Sequence, residues 1–149
     1  MKKIAIASLI ALAVTTASAL ELGVNTTRSY VGENNTGFGV SVGQQYGKVG
    51  VSANFDRFTR GTEDQDRLSL NGSYNLLTVG PATVAATAGV AHLNNKVSGD
   101  GYALTVGAGV SVPVTKQVSV GLGVARQYGQ DRVQAFDGNT VTAGLKFRF

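Results

Sequence analysis

The sequence has no cysteine, a single histidine and few charged residues, 15% of the chain. Without cysteine there is no disulfide and no thiolate metal site, which suits a chain crossing an oxidising compartment without a covalent staple. With His92 as its only imidazole, the chain has one ready general base near neutral pH and no metal-ligand cluster. The shortage of charge is odd for a water-soluble domain of this size, whose surface charges keep it wet. Also missing is an apolar run of membrane-spanning length, since the one over residues 4–14 is too short for a transmembrane helix.

That run is preceded by Lys2 and Lys3 and followed by Ala17, Ser18 and Ala19. The pattern is that of a cleavable secretory signal over residues 1–19, with cleavage after Ala19. Residues 20–149 then form the mature chain, long enough for one domain. Losing the two signal lysines leaves 11 basic against 9 acidic residues, a net charge of +2. So small an excess, with no basic run, argues against a nucleic-acid partner.

What the chain has instead is alternation. Leu22 and Val24; Phe38, Val40 and Val42; Val49, Val51, Ala53 and Phe55; and Leu68, Leu70, Gly72, Tyr74 and Leu76 each alternate with small or polar residues. So do Val84, Ala86, Ala88 and Val90; Tyr102, Leu104, Val106, Ala108 and Val110; Val118, Val120, Leu122 and Val124; and Val141, Ala143, Leu145, Phe147 and Phe149. Period two is the signature of strands with one apolar face, and it occurs eight times.

The connections after the second, fourth and sixth strands are short: residues 45–48, 79–81 and 113–117. Those at residues 31–35, 59–66, 94–101 and 129–139 are longer and polar. A transmembrane barrel with both termini in the periplasm predicts this asymmetry. In that orientation Tyr30, Phe38, Phe55, Tyr102 and Tyr128 fall near the outer rim, and Tyr46, Tyr74, Phe147 and Phe149 near the periplasmic rim, as two aromatic girdles. Phe58 and Phe136 are expected in or beside loops.

Alternation alone does not say which face is inside, and a soluble ligand-holding barrel of lipocalin type would turn the apolar face inward. The polar face, however, is mostly Gly, Ser, Thr and Asn, short enough for a narrow lumen and too poor in charge for a wet exterior. The expected fold is therefore all-β, an eight-stranded antiparallel up-and-down transmembrane β-barrel.

The C-terminal stretch resembles the last strand of bacterial outer-membrane barrels, which ends in an aromatic after alternating apolar residues. The resemblance implies that Leu145, Phe147 and Phe149 form the signal read by the barrel-assembly machinery. The mature chain as a whole resembles the small eight-stranded outer-membrane barrels, a group with the OmpX/Ail adhesion and resistance proteins, the OmpA transmembrane domain and the opacity-like proteins. That implies a monomer in a Gram-negative outer membrane, in contact with its lipid and lipopolysaccharide, with no cofactor.

Charges inside a barrel need partners. Glu21 should meet Lys146 and Arg148 across the closure of the first and last strands, and Asp56 should meet Arg67. These five residues are expected to form a lumen polar network, or the constriction of a narrow passive pore for small solutes. Lumen glycines, among them Gly107, Gly109, Gly121, Gly123 and Gly144, would leave volume for water. The Gly-x-Gly pairs they form lie within strands with no helix after them, so they are not phosphate loops. His92 shares the lipid-facing parity, with Ser98 and Asp100 in the next loop. Lipid A deacylases use a Ser-His pair in about that zone but carry the two close together on one strand, a pairing missing from this sequence. The expected protein is thus not an enzyme, with a structural or surface-interaction role through its outer loops; the porin and, more distantly, a lipid A-modifying enzyme are the alternatives.

Overall fold

The computed structural model describes residues 20–30, 35–60, 63–95, 99–129 and 137–149, so the expected signal segment and Phe136 lie outside the described residues. Eight strands account for almost all of what is described: β1 Leu20–Ser29, β2 Asn35–Tyr46, β3 Val49–Arg60, β4 Glu63–Val79, β5 Ala82–Asn95, β6 Gly99–Pro113, β7 Val118–Gly129 and β8 Gly138–Arg148. Each pairs antiparallel with the next, and β1 pairs with β8, so the sheet closes on itself. Closure removes every free edge, which is what a strand bundle needs where no water can satisfy its backbone.

The closing register puts Glu21 opposite Arg148, Leu22 opposite Phe147 and Val24 opposite Leu145. One parity then runs unbroken around the barrel. Leu22, Val24, Val40, Val51, Leu68, Leu70, Val90, Leu104, Val106, Leu122, Val124 and Leu145 all point outward and are exposed. Among the described residues the only buried apolar side chains are Phe58, Ala91, Leu93 and Ala103. The apolar face is therefore outside, with no soluble core beneath it, and this excludes the lipocalin arrangement. Only lipid can cover so continuous an apolar band.

Two of the three short connections are two-residue turns, Gly47-Lys48 and Gly80-Pro81, whose glycines take φ of 59° and 58°. Such hairpin turns require a left-handed residue, and glycine adopts it without strain. The third, over residues 114–117, is held by Val114 and Thr115 N–H groups donating to the Val118 carbonyl, and by the Thr115 hydroxyl accepting from the Gln117 and Val118 amides. These turns share one end of the barrel with both ends of the described chain. The strand ends at Ser29, Asn35, Arg60, Glu63, Asn95, Gly99, Gly129 and Gly138 lie at the other end.

The strands overrun several expected loops. Residues 59–66 are not a free polar loop: β3 reaches Arg60, β4 starts at Glu63, and Thr59 pairs with Asp64 and Arg57 with Asp66. Backbone pairing continues past the apolar band because two hydrogen-bonded strands need no lipid to stay paired, and a cross-strand ion pair, Arg57 Nε to Asp66 Oδ1 at 2.9 Å, holds them. Asn94, Asn95 and residues 99–101 are likewise strand, as are Asn35, Gly138 and Asn139. In β4 a bulge between Asn75 and Leu77 shifts the register, and Leu76 and Leu77 are both exposed. The simple alternation thus holds through Leu76 and breaks at the next residue, Leu77.

Glycine serves two purposes on the inner wall. A Cβ on Gly39 would run into the Asp56 carboxylate and come within 2.7 Å of the Phe55 carbonyl, whereas on Gly123 it would meet only the Ala108 carbonyl at 3.7 Å. Gly39→Ala is accordingly expected to cost about 1–3 kcal/mol by overpacking. Gly123→Ala should stay within roughly 0.5 kcal/mol of the parent. Urea titration of the barrel folded in vesicles checks both; a destabilised Gly123→Ala would mean that its void is structurally required.

Candidate functional site: a lumen divided into a plug and a chamber

Because parity sends every second residue inward, the polar positions of eight strands converge on one lumen. Towards the loop end several of them are buried together. Asp56 on β3 is 1% exposed and Arg67 on β4 is 9% exposed. The register makes them direct partners. Arg67 donates from Nε at 3.1 Å and Nη2 at 2.8 Å to Asp56 Oδ2, while Asn25 Nδ2 on β1 donates to Oδ1 at 2.6 Å. Asn25 also reaches Thr27 at 3.4 Å, and the Thr27 and Thr142 hydroxyls lie 3.0 Å apart, carrying the network to β8. The Arg67 guanidinium sits 5.1 Å from the centre of the Phe58 ring. Around this group Gln65, Ala91, Leu93, Ala103 and Gln127 are buried as well. Together they form a plug, polar on its inner side and partly apolar above.

Below the plug the lumen is hollow. A cavity of about 440 Å³ extends from Asp56 and Arg67 to Pro81, Pro113 and Lys116 at the short-turn end. One wall carries amides and hydroxyls: Asn54 and Asn71 both donate to the Ser69 hydroxyl, at 3.4 and 3.2 Å, and Thr105 donates to the Asn71 oxygen at 3.3 Å. The opposite wall is bare, with Gly109 paired to Gly123 and Gly121 to Gly144. At the mouth Arg148 Nη2 lies 2.6 Å and Lys146 Nζ 3.7 Å from the Glu21 carboxylate, with both cations more than half exposed. No buried polar side-chain atom of the described residues lacks a partner. In low dielectric an unpaired one would be expensive, so the network is structurally closed as it stands.

The five charged residues singled out from the sequence therefore fall into two groups. Asp56 and Arg67 form the floor of the plug; Glu21, Lys146 and Arg148 cluster at the mouth on the adjacent strands β1 and β8, where both cations are more than half exposed. Phe58 is not in a loop but inside the lumen, 4% exposed, because it shares the parity of Asp56 and Asn54 on a strand that runs further than expected. Its position could have been read from that spacing. Asn25, Leu93 and Gln127, also part of the plug, share the inward parity of their strands, but parity gives no sign of their depth.

Leu145, Phe147 and Phe149 stand on the outer wall, with Phe149 72% exposed. Its N–H donates to the Leu20 carbonyl at 3.0 Å, tying the end of the chain to its first strand. His92 points outward, its ring 4.9 Å from that of Tyr102 at a 55° tilt. The side chains of Ser98 and Asp100 lie outside the described residues. Among the described residues no three His, Cys, Asp or Glu side chains gather as a metal site.

Comparison with known proteins agrees with this architecture. The family described as YfaZ precursor matches residues 1–135. Among solved structures, Neisserial surface protein A is similar with a TM-score of 0.70 at 14% identity, over 90% of this chain and 98% of that one. The Yersinia pestis outer membrane protein Ail follows at 0.58 and 16%, over 89% of this chain and 99% of that one. The outer membrane enzyme PagL is similar at 0.51 and 10%, over 85% and 98%. At these identities the likeness shows the fold, that of small eight-stranded outer-membrane barrels. No curated protein sequence matches the chain.

Proposed function

The chain belongs to the YfaZ precursor family, and from that premise we propose that it is a monomeric barrel of a bacterial outer membrane whose lumen does not conduct. Its role is structural or lies in contacts made by its loop end. The short turns and termini face the periplasm and the longer connections face outward. The observation that carries this reading is the plug: buried side chains from β1, β3, β4, β5, β6, β7 and β8 meet in the loop-side lumen, and the polar ones among them are hydrogen-bonded. Within its apolar band the wall offers lipid mostly aliphatic and aromatic groups, which leaves the loop end as the surface for a partner. Among the described residues the sole histidine takes part in no catalytic constellation and leans on Tyr102 outside the barrel.

The chamber of about 440 Å³ favours a second reading, a narrow pore, because half of a conduit is already hollow. Planar-bilayer recording of the refolded barrel, confirmed folded by heat-modifiable gel mobility, separates the two. The expected result is a folded barrel without unit current steps. Stable steps from the parent chain would replace the first reading with the second.

A further inference from the structure

On the outer wall near the loop end, two exposed arginines have no acidic partner among the described residues. Arg28 on β1 and Arg126 on β7 meet no carboxylate among the described residues, although Arg57 at the same rim is held by Asp66. Each guanidinium instead lies over the tyrosine two residues further along its own strand: Arg28 over Tyr30 and Arg126 over Tyr128, both at 5.5 Å from the ring centre. The two pairs flank β8, where Asn139 stands opposite Arg126 and its carbonyl accepts the Tyr30 N–H at 2.9 Å. Arg28 is opposite Val141, and Val141 opposite Val124. From strand spacing and rise, the two arginine Cα atoms are therefore about 12 Å apart.

From this arrangement we infer that the face formed by Arg28, Tyr30, Asn139, Arg126 and Tyr128 binds the phosphorylated disaccharide headgroup of lipopolysaccharide. The inference goes beyond the proposed function and rests on its orientation, which puts this rim in the outer leaflet. A headgroup with a phosphate at each end of a disaccharide matches two separated cations, and guanidinium pairs with phosphate through two parallel hydrogen bonds. Stacking on tyrosine holds each guanidinium in place beforehand, so less side-chain freedom is lost on binding. Asn139, exposed between the pairs, presents an amide to the sugar hydroxyls. The tyrosines, with an apolar body and a polar tip, sit where acyl chains meet sugar.

The test uses the refolded mature barrel in neutral detergent, titrated with purified lipopolysaccharide, with its enzymatically dephosphorylated form and with phosphatidylglycerol, and read by native mass spectrometry. Lipopolysaccharide should bind, and the other two should not saturate in the same range. Arg28→Gln and Arg126→Gln should each weaken binding about tenfold, the loss of one charge-assisted hydrogen bond. Arg57→Gln, whose arginine is already taken by Asp66, should leave it unchanged. All variants are first shown to retain heat-modifiable mobility. Unaltered binding by the Arg28→Gln/Arg126→Gln barrel overturns the site, and so does equal binding of phosphatidylglycerol. In parallel, an Asp137→Cys barrel, otherwise free of cysteine, is exposed to an impermeant maleimide on whole cells. Labelling supports the orientation; protection from the reagent in cells, with labelling after lysis, overturns the orientation and the lipopolysaccharide assignment together.

Discussion

Asp56→Ala is expected to destabilise the folded barrel by about 3 kcal/mol, with breakage of one partner in a buried pair typically costing 3–5 kcal/mol. Asp56 accepts three hydrogen bonds, two from Arg67 and one from Asn25. Its removal strands the Arg67 guanidinium and the Asn25 amide on the plug's inner face. The cost falls at the low end of the range because Arg67 borders the chamber, from which water can partly solvate the exposed charge. Removing both charges should cost less than removing one: in Asp56→Ala/Arg67→Met the charge has gone and the thioether chain packs near Phe58 in place of the arginine stem. Urea titration of the barrel in vesicles, run as a double-mutant cycle, measures the coupling. If Asp56→Ala and the double variant are equally stable to within about 0.5 kcal/mol, the pair contributes packing and no electrostatic specificity.

The architecture was legible in the chain because a lipid-facing barrel imposes period two on every strand, broken here only at the β4 bulge among the described residues. Eight such stretches, with alternating connection lengths, determined strand number and the end at which the short turns gather. What the pattern did not carry is where a strand stops once it leaves lipid. Around residues 59–66 polarity reads as loop, yet cross-strand pairing, Arg57 with Asp66 and Thr59 with Asp64, carries the ladder on through it. The bulge between Asn75 and Leu77 was hidden for a related reason: both Leu76 and Leu77 suit an outer face, so hydropathy gives no sign of the inserted residue.

The lumen was legible in chemistry and illegible in depth. Complementary charges at Glu21, Lys146 and Arg148 and at Asp56 and Arg67 can be matched by strand adjacency alone. Which of them is buried depends on volumes contributed by other strands. Gly109, Gly121 and Gly123 leave the lower lumen empty, while Phe58, Leu93 and Gln127 fill the upper part, and only the closed register brings these far-separated positions to one level. An eight-stranded barrel is usually just wide enough for its own side chains. Here one half follows that rule and the other escapes it through glycine.

Asp56→Ser/Phe58→Ser/Arg67→Ser should convert a silent barrel into one that conducts. The hollow already reaches Asp56 and Arg67 from the mouth, so the resistance of the path is concentrated in the layer these residues occupy. Replacing all three removes the two largest obstructing side chains and both charges at once. No buried ion is then left unpaired to refill the space or unfold the barrel. Current is carried past the mouth, where Lys116, Lys146 and Arg148 outnumber Glu21 among the charges lining the cavity. The unit steps should therefore favour anions, and Lys146→Ser/Arg148→Ser on the same background should lower that preference without abolishing the steps. Single-channel recording in asymmetric salt gives both quantities from one experiment: step size reports the plug, and reversal potential reports the mouth. If the triple variant is heat-modifiable and still silent, closure belongs to Leu93, Gln65 and Gln127, buried in the same half of the lumen. Steps with no ionic preference would mean that Glu21 neutralises the mouth despite the excess of cations around it.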